Sequence, residues 1–300
     1  MKRSYLISLL TVVSHTLLAQ YNVMQDGEGK SSFPVFENNT LNVNAQEKKI
    51  AFSITFPEML PDSVWNFGAL SLSLKGKDKS FPIVKNGIFN FEGNLTYAHT
   101  WYLNQQAKSA FYVVGNLGVS RLQTYDSTQI SGEQIETQSP LNSYVQVGFI
   151  DDALTSFEKG GLIFGFGFRL GWSDNVSGLT SYEFFTPIAN GQQIITPDAK
   201  TVYLAQEYAE NIFNTSTMLD IGLNTNGRIN PMLHVRHNTL EEGDNKTNLG
   251  IGFYLSEKDA PLNAVFGIQG FINDLNDNAE KDTSAWERTT INLVAGFKLK

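Results

Sequence analysis

The 300-residue chain contains no cysteine, which excludes a disulfide framework, a thiolate metal centre and a cysteine nucleophile. Charge is scarce too. Asp, Glu, Lys and Arg make up 17% of the residues, against about 25% in an ordinary soluble domain. Yet mean hydropathy is only −0.19, and beyond residue 20 no apolar run approaches the roughly 20 residues that a membrane helix needs. Helical spans are thereby excluded. The charge that is present leans acidic, 22 basic against 30 acidic residues for a net of −8. That balance opposes nucleic-acid phosphate, which is bound through clustered Lys and Arg, so no nucleic acid is expected as a partner. A soluble all-β protein and a transmembrane β-barrel remain.

The first residues have the form of an export signal. Lys2 and Arg3 give a positive start, Leu6 to Val13 an apolar stretch, and Leu17-Leu18-Ala19 a small-residue cleavage site before Gln20. Residues 1–19 are therefore expected to be removed, taking two basic residues and no acid, so the mature charge is 20 minus 30, or −10. No cysteine follows the apolar stretch to carry a lipid. Residues 20–38 read as a periplasmic lead-in and residues 39–300 as one domain, since no low-complexity tract or Pro-rich linker divides them.

What dominates the rest is apolar alternation at period two, which lays one face of an extended segment against an apolar medium. In 160–172, Leu162, Phe164, Phe166, Phe168, Leu170 and Trp172 share one face, while Gly165, Gly167, Arg169 and Gly171 lie on the other. Similar faces are Ile50/Phe52/Ile54/Phe56, Leu70/Leu72/Leu74, Leu95/Tyr97, Phe111/Val113/Leu117/Val119, Leu219/Ile221/Leu223, Leu249/Ile251/Phe253/Leu255 and Ile291/Leu293/Ala295/Phe297/Leu299. Val265/Gly267/Gln269/Phe271 forms a further set whose opposite face is ambiguous. A soluble sandwich alternates as well. Three features favour the membrane: the second faces are rich in Gly, Asn, Ser and Thr, several segments run about 10 to 13 residues, and Tyr97, Trp101, Trp172, Trp286 and Tyr254 lie toward segment ends, where a bilayer places its aromatic girdles.

The expected fold is thus all-β, an antiparallel up-and-down transmembrane β-barrel. Its twelve strands are read at 39–45, 50–56, 66–75, 88–103, 110–122, 143–150, 161–172, 217–225, 230–240, 246–256, 263–274 and 288–299, with ten or fourteen as the alternatives given by an even strand number. If the last strand ends in the periplasm, 123–142, 173–216, 241–245 and 275–287 are outer loops. Then 104–109, 151–160, 226–229 and 257–262 are inner turns. Pro197 to Asn214 has helix-forming composition and is placed as a short helix in an outer loop or in the lumen.

The signal, the alternating segments and the terminal strand Ile291-Asn-Leu-Val-Ala-Gly-Phe-Lys-Leu-Lys300 together resemble the general class of Gram-negative outer-membrane β-barrel proteins. That resemblance covers the whole mature chain, is architectural, and selects no named family. It implies residence in the outer membrane, contact with its lipid and recognition by the barrel-assembly machinery. Phe297 fits the aromatic close of such a strand, although Leu299 and Lys300 follow it. The Ala19-Gln20 junction is similar to those of Bacteroidota secreted proteins.

Chemistry is sparse. Asn226-Gly227 reads as a tight turn, so residues whose numbers sum to 454 face each other: Asp220 opposes His234, and Met218 opposes Arg236. An Asp beside a His is the start of a general-base site, but no G-x-S-x-G nucleophile motif occurs. Asp220, His234 and Arg236 are therefore read as a lumen charge network, with Arg169, Glu92 and Lys298 as further lumen charges. Gly165-Phe-Gly-Phe168 lacks the helix and Lys of a phosphate loop, and its glycines are read as relieving crowding beside the phenylalanines. Asp151-Asp152 and Asn273 to Asn278 lack the ligand pattern of an EF-hand. No catalytic residue, metal or cofactor is expected. The function read from this is a non-enzymatic outer-membrane barrel, either a narrow small-solute channel or an accessory or scaffold subunit working with other outer-membrane or periplasmic proteins. The alternatives are an outer-membrane lipid or peptide hydrolase using His234 and Asp220, and a secreted soluble β-sandwich with a binding role.

Overall fold

The computed structural model describes residues 22–25, 32–35, 39–44, 49–59, 65–76, 84–85, 88–89, 91–103, 109–130, 133–151, 156–157, 160–176, 179–185, 188–190, 193–195, 199–225, 229–241, 245–257, 260–276 and 284–297. Their regular structure is β throughout. The main sheet has thirteen strands, one of them the two-residue piece Ser156–Phe157, which leaves twelve longer ones among the described residues. These are β1 (Asn39–Asn44), β2 (Lys49–Met59), β3 (Trp65–Gly76), β4 (Phe91–Tyr102), β5 (Ser109–Val119) and β6 (Leu141–Asp151). The second half comprises β7 (Gly160–Ser173), β8 (Ile212–Asn224), β9 (Ile229–Leu240), β10 (Lys246–Glu257), β11 (Ala260–Ile272) and β12 (Thr289–Phe297).

Consecutive strands pair antiparallel from β1 to β12. The last strand also pairs with the first, Phe297 opposite Asn39 and Asn292 opposite Asn44. All twelve spans read from alternation hold a strand, including the two with the thinnest pattern, 39–45 and 143–150. Because the strands alternate in direction, connections 45–48, 77–90, 120–140, 174–211, 241–245 and 273–288 share one end of the sheet. The connections 60–64, 103–108, 152–159, 225–228 and 258–259, none longer than eight residues, share the other.

The segment 197–214 is not a helix. Ala199–Leu204 is a strand that pairs antiparallel with Tyr182–Phe185 and parallel with Leu122–Tyr125, which pairs in turn with Ile135–Gln138. The β-branched and aromatic Thr201, Val202 and Tyr203 outweigh the helix formers around them, and Val202 is buried. This second sheet joins the two longest connections. Beyond it β8 begins at Ile212, five residues earlier than expected. In the lead-in, Asn22–Gln25 pairs with Ser32–Val35. Residues 1–19 lie outside the described residues.

Where burial is described it alternates along the strands, with many polar groups on the covered face and large apolar groups on the uncovered one. The covered face carries polar and charged groups, among them Gln146, Arg169, Ser216, Asp220, His234, Arg236, Gln269 and Asn292. Its apolar members, such as Tyr112, Ile163, Met218, Met232, Tyr254 and Phe271, are packed among them. The uncovered face carries Leu72, Tyr97, Trp172, Leu223, Phe253 and Ile268, each between 46% and 55% exposed. Two assignments change as a result. Tyr254 is buried on the inner face rather than placed at a strand end among the girdle aromatics. In β11, Gly267, Gln269 and Phe271 face inward, while Phe266 and Ile268 are exposed.

The inner wall is uneven. On β2, β3 and β4 it presents small groups: Ala51, Ser53, Ala69, Ser71, Ser73, Thr96, Ala98 and Thr100. On the other side large groups project across glycines. A Cβ on Gly148 would stand 2.2 Å from the Tyr112 ring, and one on Gly167 would stand 2.8 Å from the Tyr112 hydroxyl. The crowding at Gly167 therefore comes from Tyr112 and Met218. The flanking phenylalanines, to which the sequence pattern attributed it, point to the opposite face.

Candidate functional site

The inner face gathers its charge on β8 and β9. Asn214 to Gly222 oppose Leu240 to Met232, so Asp220 faces His234 and Met218 faces Arg236, the register expected from the Asn226-Gly227 turn. Residues 226–228 themselves lie outside the described residues. His234 Nδ1 stands 2.6 Å from Asp220 Oδ1, and Arg236 Nη2 donates to the same oxygen at 2.6 Å. Arg236 Nη1 donates to the carbonyls of Leu219 at 3.1 Å and Val235 at 2.9 Å, which ties the guanidinium to both strands. Arg236 is 0% and His234 1% exposed. A cation and an anion so far from water persist only as a hydrogen-bonded pair.

Sequence reasoning put Tyr254 and Asn248 on the lumen faces of strands neighbouring His234, but it did not join Tyr254 or Gln269 to this cluster. The Tyr254 hydroxyl lies 2.9 Å from His234 Nε2, and Gln269 Nε2 donates to the same hydroxyl at 2.8 Å. Since Gln269 supplies its own hydrogen, the phenol is free to donate to Nε2, and Nδ1–H then donates to Asp220. The chain Gln269–Tyr254–His234–Asp220–Arg236 thus runs with one consistent hydrogen direction toward the carboxylate. Phe271 stacks on the imidazole, with centroids 5.7 Å apart and planes at 24°. It finds room because Gly250, opposite His234, carries no side chain: a Cβ there would be 2.5 Å from the Phe271 ring. Nearby, Gln146 Nε2 donates to the Tyr112 hydroxyl at 3.3 Å.

Of the other expected lumen charges, only the side chain of Arg169 is described. Arg169 is buried on β7, donates to Asn238 Oδ1 at 3.4 Å and lies 4.9 Å from the centroid of the Tyr144 ring. Ser216 Oγ donates to the same Asn238 oxygen at 2.6 Å. Glu92 is described by its backbone alone, which places it opposite Lys75 on β3, itself opposite Lys49 on β2. Lys298 lies outside the described residues, as does Asp152. Asp151 accepts from Ser109 Oγ at 3.2 Å at the short-turn end of the sheet. Asn273 and Asp274 are buried at the opposite end, where Asn273 Nδ2 and Asp274 O bind Arg288.

Chemically, the Asp220–His234 pair has the oriented imidazole of a general base, but its outer nitrogen is occupied. A base must present that nitrogen to a nucleophile or water beside a substrate. Here Nε2 faces a buried phenol and the ring is covered by Phe271. Among the described residues, no group of three or more His, Asp or Glu side chains is arranged to hold a metal ion. No protein-family model matches the chain, and no match was found among curated proteins.

Proposed function

We propose that the chain is an integral outer-membrane β-barrel of twelve strands that acts without enzymatic activity, as an accessory or scaffold subunit of a larger outer-membrane assembly rather than as an open solute channel. The observation that carries this reading is the reversed burial. Charged and amide side chains at 0–3% exposure line the inner face, including Arg236, Gln146, Gln269, Asn292 and Asp220, while Leu, Ile, Phe and Trp cover the outer one. In water such a surface would expose far more contiguous apolar area than a monomer carries. In a bilayer it is the expected arrangement. Closure of the sheet is supported by the pairing of β12 with β1 and by antiparallel partners on both sides of every strand between. A closed sheet leaves no unpaired backbone edge in lipid. The strands of 9 to 14 residues that make up most of the ring suit a tilted crossing.

Filling of the interior supports the scaffold over the channel. Tyr112, Tyr254, Phe271, Met218 and Arg236 are all buried. One apolar cluster includes Ala69 and Ala98 of the small-residue wall together with Ile163, Met232, Tyr254 and Val294 of the other strands. The export signal expected at residues 1–19 and the grouping of longer connections at one end agree with insertion by the barrel-assembly machinery, with those connections outside.

Extraction from the outer-membrane fraction and electrophoresis with and without boiling should give a heat-dependent mobility shift. The protein in planar bilayers should give no steady conductance. Recovery as a soluble periplasmic protein without a shift would refute the membrane reading. Ohmic single-channel steps would replace the scaffold with the channel.

A further inference from the structure

Among the described residues, the outward face carries a shallow groove of about 400 Å³ centred on β5. It arises from two small residues where large ones surround them. Across the sheet, one row reads Leu70, Tyr97, Gly115, Val145 and Leu170, and the next reads Leu72, Leu95, Leu117, Ser143 and Trp172. Gly115 and Ser143 sit in adjacent rows on neighbouring strands. Tyr97 and Trp172, each 50% exposed, stand on either side. A Cβ placed on Gly115 would have no atom within 4 Å, so this glycine is not required by packing. The groove lies within the roughly 300–1,000 Å³ of small-molecule sites, and its lining is almost wholly apolar.

A cation lies four residues beyond Leu117, outside the groove's own lining. Beyond β5 the alternation continues, with Val119 exposed, Ser120 buried, Arg121 exposed and Leu122 buried. Ser120 N donates to Pro140 O at 3.2 Å, which keeps this stretch in step with β6. Arg121 therefore shares the outward face of Leu117 and Val119, about 13 Å along the strand from Leu117 at 3.3 Å per residue. It lies toward the end that bears the long connections. An apolar trough with a cation about 13 Å further along the same strand complements an amphiphile with an anionic head.

We infer that the groove seats one acyl chain of a phospholipid of net negative charge, whose phosphate is held by Arg121. This rests on the membrane reading above and adds to it a specific lipid site. Bulk lipid covers the rest of the apolar band without such selection. The chain lies between Tyr97 and Trp172 over Gly115, and the guanidinium meets the phosphate at the headgroup level, where one cation near anionic lipid is worth about a five-fold preference.

The test uses the full chain in phosphatidylcholine vesicles, with Trp65→Phe, Trp101→Phe and Trp286→Phe leaving Trp172 as reporter, and insertion read separately from the heat-dependent gel shift. Phosphatidylglycerol brominated on its acyl chain should quench Trp172 with an association about five-fold above that of equally brominated phosphatidylcholine. Arg121→Gln should bring that ratio to about one. Gly115→Leu, which has open space to occupy, should reduce quenching by both lipids. Equal quenching by the two lipids in the inserted parent protein, or quenching unchanged by Gly115→Leu, would overturn the site while leaving the barrel intact. Crosslinked dimers that disappear with Gly115→Leu would overturn it in favour of a protein contact. A chain that gives no gel shift would overturn the membrane reading and the lipid site together.

Discussion

Tyr254 reaches His234 across a 2.9 Å contact although the two are four residues out of step, since His234 opposes Gly250 and Tyr254 opposes Asn230. The phenol covers that offset by lying along its own strand over Gly252, where a Cβ would come within 2.7 Å of its ring and hydroxyl. Gly252 is therefore a condition of the hydrogen-bonded chain. Gly252→Ala should cost about 1–3 kcal/mol, the usual range for overpacking. Gly115→Ala should be near neutral. Urea unfolding of the two variants in vesicles gives the comparison, and equal midpoints would contradict the packing described for the inner face.

Asp220 accepts from His234 and Arg236 at once, so its removal leaves a guanidinium without its carboxylate in a place closed to water. Asp220→Ala should destabilise by about 3–5 kcal/mol. Adding Arg236→Met removes the stranded charge and should restore part of the loss. His234→Ala should also lower stability, and lipid or peptide substrates should show no turnover in the parent protein. Turnover abolished by both Asp220→Ala and His234→Ala, with the fold retained, would make the pair catalytic.

Phe166 is 44% exposed on β7 while Arg169 on the same strand is buried. Phe166→Arg should cost about 2–4 kcal/mol if the ring meets the bilayer midplane. Trp286→Arg, at a 78% exposed position in the connection 273–288, should stay within about 0.5 kcal/mol. Similar costs at the two sites would argue that lipid does not cover the outer face.

Glu287 closes the turn before β12. Ser284 N and Ser284 Oγ donate to its carboxylate at 2.7 and 2.9 Å. The backbone bond and then the hydroxyl bond hold this carboxyl below its ordinary value of 4.5. A carboxylate depressed in the folded state contributes stability above its unfolded pKa, and that contribution fades as pH falls through the folded value. Carbon-detected titration of Glu287 should give a midpoint below 4.5. Ser284→Ala should move it part of the way back, since the backbone donor remains.

Period-two alternation made the strands legible because burial alternates with the pleat, and the Asn226-Gly227 turn made the Asp220–His234 register legible because a tight turn fixes every later pair. Side-chain reach was not legible. Tyr254 leans four residues along its strand, and Tyr112 crosses Gly148 to stand over Gly167 two strands away. Neither lean has a period or a spacing. Gly167→Ser, which alternation alone would class as mild, therefore has to displace the Tyr112 hydroxyl from its place beside Gln146. The strand at Ala199–Leu204 escaped for a related reason. It pairs with Leu122–Tyr125, more than seventy residues earlier in the chain, and local composition carries no trace of that partner.

The pairing of β1 with β12 has a kinetic consequence. It is a short ladder, six residue pairs from Asn39–Phe297 to Asn44–Asn292, where β7 and β8 share thirteen. Every other pairing in the main sheet joins strands that follow one another, whereas this one joins residues about 250 positions apart. Among the described ladders of the main sheet it closes the longest stretch of chain, and only six residue pairs repay that entropy. In the proposed barrel this ladder should therefore be the last to zip during assembly. A peptide copying Asn39–Asn44 should compete for β12 only while the chain is folding, and arrest it as an open ribbon.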